Sequence, residues 1–281
     1  MSRQPIGIML GRLSCPATVA RQAFPFASWR DEFALAQSCG FDRLEWLVTD
    51  RGGENPIWSD SGRAEIRALT AGTGVAVKSL NAHCLIASRL LRVDDIERRR
   101  SLLLLESLIE HCAALAIDTV VVPLLEDGEI RTVADAHALV DLLGRPVELA
   151  GAAGVKLALE SDAPLPLWLD VLTGLSAPVG ACYDTGNRAA KSFDVAADLL
   201  ALREHVCSVH IKDRRRAGPS VPLGDGDVDF TAAFGALSAI NYEGPLTLET
   251  PAGEHPARQA RRHLQFVKDA VAAVRGDRVH Q

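Results

Sequence analysis

Short runs rich in Val, Ile and Leu alternate along the chain with longer segments whose apolar residues recur at helical spacing. The runs are Ile6 to Leu10, Arg43 to Val48, Val75 to Asn81, Thr119 to Leu124, Val155 to Glu160, Val179 to Asp184, Val206 to Lys212 and Pro245 to Glu249. Each reads as a buried strand. The segments between and after them predict helices over 28–39, 61–72, 95–116, 131–152, 166–174, 193–204, 229–240 and 255–275. Asp60 or Ser61 can cap the second helix, Gly74 follows it, and Gly154 follows the fourth immediately before a strand. The sequence ERRR near the start of the third opposes the helix macrodipole and speaks against that boundary.

Repeated strand–helix units build a parallel sheet with helices outside it. An open doubly wound sheet would carry G-x-G-x-x-G after its first strand, and GIMLGRLS does not. No linker or low-complexity block divides the chain. The expectation is therefore an α/β protein with one domain over residues 1–281, a (β/α)8 TIM barrel, for which 281 residues is a suitable length.

Composition changes this picture little. With 48% hydrophobic and 23% charged residues, the chain is an ordinary globular one. A net charge of -6 argues against a nucleic-acid partner, which needs a basic face. The apolar run in MSRQPIGIMLGRLSC is too brief for a signal-peptide core or a membrane span, so a cytoplasmic protein is expected. Cys15, Cys39, Cys84, Cys112, Cys182 and Cys207 form no C-x-x-C pair, which points to reduced, buried thiols. An acidic barrel with apolar outer helices also allows a homodimer.

The chemistry lies at the strand ends. In a barrel all C-terminal strand ends open on one face, so residues far apart in sequence meet there. Strands five to eight close as VKLALES with Glu160, VGACYDTGN with Asp184, CSVHIKD with His210 and GPLTLET with Glu249. A charged group after an apolar run is costly to bury unless it is paired or bound to a metal. Each acid alone could pair with a nearby Arg or Lys, but four at equivalent positions point to one divalent metal ion. Three carboxylates and one imidazole suit Mn2+ or Mg2+, and would also accept Co2+ or Zn2+.

The stretches LALES, CYDTGN, VHIKDR with VPLGDGDVDF, and LTLET resemble the second half of the sugar phosphate isomerase and epimerase family, which shares the xylose isomerase-like barrel. The resemblance spans Val155 to Thr250. It implies that Glu160, Asp184, His210 and Glu249 bind the metal, and that Glu160 and Glu249 are catalytic, exchanging the α-proton of a small carbohydrate substrate. A divalent ion chelated by a ketose would stabilise the enediolate while carboxylates move the proton. Ketose 3-epimerases of the superfamily often have a His where this chain has Asn187, and a second Glu where it has Pro164 and Pro166.

Other candidates surround this set. Glu45 ends RLEWL and His83 follows SLNAHC, so both are expected at the mouth as substrate contacts. Asn187 is either a substrate contact or a turn residue after D-T-G. Lys212, Asp213, Arg214, Arg215 and Arg216 lie where barrels commonly bind phosphate. Lys212 is the candidate sugar-phosphate contact, and Asp213 is otherwise expected to pair with a neighbouring base. Trp46, Trp58 and Trp168 could wall the mouth, although Trp46 falls on the opposite strand face from Glu45 and so should meet a helix.

The expected function is a metal-dependent sugar isomerase or epimerase. A keto-inositol dehydratase, a lyase, would use the same ligands. A sugar-binding barrel without activity would be expected to lose a ligand, and none is lost. An abasic-site endonuclease of the same superfamily needs more His ligands than this chain places at its strand ends.

Overall fold

The computed structural model describes residues 4–15, 23–49 and 53–279. Eight parallel strands close into a barrel in the order β1, β10, β7, β6, β5, β4, β3, β2. They are β1 (Ile6–Met9), β2 (Arg43–Leu47), β3 (Ala76–Asn81), β4 (Thr119–Leu124), β5 (Lys156–Ser161), β6 (Val179–Asp184), β7 (Val206–Ile211) and β10 (Leu246–Leu248). Each overlaps one of the apolar runs. A two-stranded antiparallel hairpin, β8 (Asp213–Arg214) with β9 (Ser220–Val221), rises from the end of β7.

The outer ring is α1 (Asp31–Cys39), α2 (Asp60–Thr73), α4 (Asp95–Ala114), α5 (Val133–Ala153), α6 (Leu165–Gly174), α8 (Val195–Leu202), α9 (Phe230–Ala239) and α10 (Pro256–Val279). Two further short helices, α3 (Cys84–Ala87) and α7 (Thr185–Ala190), follow β3 and β6 directly and were not expected from periodicity. The start of α4 holds despite its basic residues. Asp94 caps it by accepting from Glu97 N at 2.8 Å, and Arg98 turns back to the carbonyls of Leu90 and Val93.

Side chains alternate across each strand. The outward set packs with the helices into the main apolar core, in which Ile8, Leu44, Trp46, Val120, Leu157, Tyr183 and Val209 are fully buried. Inside the barrel Val121, Ala158 and Cys182 form a small apolar floor separate from that core. Polar inward residues sit above it. Pairing slips between Leu44 and Glu45 against β3, and again between Ala181 and Cys182 against β7. The first slip sets Glu45 opposite Ser79, and the second sets Asp184 opposite His210.

Candidate metal centre and sugar site

Glu160 is the fifth residue of β5, Asp184 the last of β6, His210 the fifth of β7, and Glu249 follows β10. All are buried, and one ligand atom from each lies within 4.8 Å of the others. His210 turns Nδ1 toward Glu249 Oε2 at 3.2 Å and Glu160 Oε2 at 4.0 Å. Buried polar atoms normally have hydrogen-bond partners. Here both ring nitrogens of His210 and Asp184 Oδ2 have none. Converging carboxylates with orphaned donor atoms fit a divalent cation, and the O-rich set with one imidazole suits a hard or borderline ion.

Charge at these four residues follows from burial and neighbours. Burial, aided by Asp184 and Glu249, pushes the Glu160 carboxyl up to about 8. Burial also raises Asp184, against the pull of Lys212. Glu249 goes the other way: burial opposes its charge, but Lys212 and His210 outweigh burial and hold it well below the usual range. Burial likewise disfavours a charged His210, yet surrounding groups that include Glu45 and Glu249 raise it well above its ordinary value. A proton thus accumulates where a cation is called for.

The segment Asp184-Thr185-Gly186-Asn187-Arg188 organises the centre. Asp184 caps α7 by accepting from Asn187 N at 2.7 Å. Asn187, placed in a helix rather than the turn considered above, donates from Nδ2 to Glu160 Oε1 at 3.0 Å and accepts from Arg214 at 3.0 Å. Thr185 Oγ1 donates to Lys212 O at 2.7 Å and accepts from Lys212 N at 3.0 Å. Gly186 permits this approach, since a Cβ there would lie 2.8 Å from Lys212 Cγ. Arg188 is fully buried, paired with Asp198, bonded to Ala163 O and stacked 4.0 Å over Phe193.

Lys212 reaches inward, its Nζ bonded to Glu249 Oε1 and 3.3 Å from Asp184 Oδ2. Asp213 takes neither place considered for it, a phosphate-binding cluster or a pairing with a neighbouring base. It accepts backbone N–H bonds from Gly224 and Gly226 at 2.9 Å and from Val228 at 3.3 Å, drawing VPLGDGDVDF into a tight loop. Gly226 is needed there, because a Cβ would fall 2.0 Å from Asp213 Oδ1. Arg214, left unassigned by sequence, is gripped by Gly218 O and aims at Asn187.

A cavity of about 770 Å³ opens above the ligands, a size that accommodates a monosaccharide. Glu160, Glu249, Asn187, Lys212 and His83 line it. Burial lowers His83 from its ordinary value and favours the neutral ring. Glu45 is not among the lining residues; it lies beneath them, with Oε1 2.9 Å from His210 Nε2 and Oε2 accepting from Ser79 at 2.8 Å. The structure sets it deeper than the strand-end position expected: β2 continues two residues beyond Glu45, so the side chain enters one layer below the mouth.

None of the three tryptophans lines the cavity. Trp46 faces outward against Trp29 and Phe24 and donates to Asn55, Trp58 meets His111, and Trp168 stacks on Tyr183. All six cysteines are free thiols, four of them buried. Sequence missed Arg12, which lines the cavity with its guanidinium 4.0 Å from Glu249 Oε1. Its loop is gathered around the buried Glu32, which accepts from the backbone N–H groups of Gly11, Leu13 and Ser14. The strand-end rule applied to β1 would have found Arg12. Nothing in the sequence marks Arg188, a buried cation inside a helix that periodicity did not predict.

Comparison with known proteins places these observations. The family described as "Xylose isomerase-like TIM barrel" matches residues 33–270. L-ribulose-5-phosphate 3-epimerase UlaE of Salmonella paratyphi C (strain RKS4594) is 29% identical over 274 residues, covering 92% of this chain and 95% of that protein. Among solved structures, the IOLI protein with a bound zinc atom superposes with a TM-score of 0.79 at 17% identity, over 96% of this chain and 99% of that one. An L-ribulose 3-epimerase gives 0.78 at 21% identity, over 98% and 97%. Similarity at those identities speaks to the fold. The chain belongs to the xylose isomerase-like TIM barrel family, among relatives named as epimerases, enzymes of the isomerase class.

Proposed function

We propose that the protein is a metal-dependent sugar epimerase or isomerase whose substrate is a small ketose or ketose phosphate. One observation carries this: Glu160 and Glu249 both line the cavity, on either side of Asp184 and His210 in strand order. Two carboxyls so placed are suited to act as a base and an acid on opposite faces of one carbon.

Glu249, kept ionised by Lys212, accepts the proton from the carbon next to the ketose carbonyl. Glu160 returns a proton to the same carbon from the other face, which inverts it. The carbon loses one proton and gains one, and the carboxyls exchange states. Asn187 holds the Glu160 carboxyl by its amide. A divalent cation held by Glu160, Asp184, His210 and Glu249 would supply a Lewis acid for the carbonyl; the oxygen-rich set favours Mn2+ or Mg2+. Return of the proton to the neighbouring carbon would give isomerisation instead.

L-ribulose 5-phosphate is the first substrate to test, because the curated relatives are named for it, and L-ribulose is the second. The manganese-loaded protein in deuterated water is expected to place one solvent deuterium in the epimerised product by NMR, with loss of exchange in Glu249→Gln. Water elimination from a keto-inositol would replace this proposal with a lyase. No deuterium uptake by any ketose, with metal bound, would refute it.

A further inference from the structure

The two nitrogens of His210 face different surroundings. Nδ1 looks toward Glu249 and Glu160, and so toward the cation position. Nε2 looks the other way, to Glu45 Oε1 at 2.9 Å, with both side chains fully buried. We propose that Glu45 is a positioning residue of the metal centre: it takes the Nε2 proton of His210 in a hydrogen bond and so reserves Nδ1 for the cation. This rests on the metal reading of the four ligands but not on the identity of the sugar.

Three features support it. Glu45 comes from β2, across the interior from β7, with β1 and β10 between them. A carboxylate placed there without a partner would be costly. Its second oxygen is committed to Ser79, and that pairing exists because the β2–β3 register slips beside Glu45 and brings Ser79, not Lys78, opposite it. A bulge that re-aims a side chain beside a site is a recurrent device. The slip in β6–β7 completes the frame by setting Asp184 opposite His210.

His210 Nε2 and Glu45 Oε1 lie 2.9 Å apart, and neither atom has another hydrogen-bond partner. A cation held at Nδ1 would need the ring proton on Nε2, where Glu45 stands within reach to accept it, as metal-binding histidines commonly require. Cys182, the other group against the ring, offers only a weak sulfur acceptor. Glu45 and the cation thus act on opposite edges of one ring.

The test uses the full chain labelled with 15N-histidine, as wild type, Glu45→Ala, Glu45→Gln and Ser79→Ala, with His210→Gln to assign the signals. Diamagnetic Zn2+ serves for long-range proton–nitrogen spectra, and Mn2+ affinity is read from free Mn2+ by electron paramagnetic resonance. Zn2+-loaded wild type is expected to carry the His210 proton on Nε2 and the metal on Nδ1. Glu45→Ala should weaken Mn2+ about 10- to 100-fold and let the ring proton distribute between the nitrogens. Glu45→Gln retains an oxygen acceptor and should fall between the two, keeping the Nε2 proton; it decides the matter if the alanine variant does not fold. Ser79→Ala should weaken Mn2+ only a few-fold. Zn2+ on Nε2 in wild type, or Mn2+ affinity within about twofold of wild type in both Glu45 variants, would overturn the proposal while leaving the metal centre intact. Wild type that binds neither ion would remove the metal centre itself and this role with it.

Discussion

The two halves of the mouth are built from different materials. Glu160, Asp184, His210 and Glu249 stand at or beside the ends of β5, β6, β7 and β10, whereas β1 to β4 end in Met9, Leu47, Asn81 and Leu124. Leu10, Leu47, Pro123 and Leu125 give the β1–β4 side apolar surface, set among Arg12, His83, Glu126 and Arg131, that the four-residue cluster faces without such surface of its own. A sugar has the same two-sided character, with C–H surface beside its hydroxyls. On the proposed function, the difference assigns the chemistry to one half and the shaping of the ligand mainly to the other, so their sensitivity to mutation should differ sharply.

The comparison breaks first at the carboxylates. Glu160→Gln and Glu249→Gln should each cut solvent-deuterium exchange by about 10²–10⁴-fold with little change in melting temperature, measured on the metal-loaded protein. Next in size is the brace under the charged half. Arg188→Met strands Asp198 and should cost about 3–5 kcal/mol in urea unfolding, and a second change, Asp198→Leu, should recover part of it. If the single variant unfolds like wild type, α7 is not held by this pair.

A third effect is set by pH. Glu160 is pushed up to about 8 and His210 is raised well above its ordinary value, so at lower pH a cation must displace their protons. Mn2+ dissociation constants should therefore rise by about tenfold or more per unit as pH falls below 8. The fold responds with the other sign. The raised carboxyl contributes stability that is present below the usual carboxylate range and lost as pH climbs to about 8, so metal-free melting temperatures should decline across that window. The smallest effect belongs to the apolar surface: Leu125→Ala should raise KM no more than about tenfold and spare kcat.

The charged half was legible because polar residues ending apolar runs stand out, and parallel strands carry them all to one face. Glu45 obeyed the same rule too literally. RLEWL continues to Leu47, and two further residues at about 3.3 Å each drop Glu45 a layer into the barrel. The slip that pairs it with Ser79 leaves no mark in a single sequence. Asp213 was misjudged for another reason: its partners are backbone amides of residues eleven to fifteen positions later, and no side-chain pattern announces them. Arg188 and α7 were hidden because six residues are too few to display a helical period.

The hairpin that Asp213 secures has a consequence for altering what the protein accepts. Its base is fastened by the three amides that bond Asp213 and its tip by the Ala217 N–H to Ala190 carbonyl bond, while Arg214, Pro219 and Ser220 look into the cavity. Such an insert offers replaceable positions: Pro219 and Ser220 can be recoded, redirecting selectivity toward larger or differently charged ligands, while Ala217 and Gly218 keep their bonds and the reactive centre below is left in place.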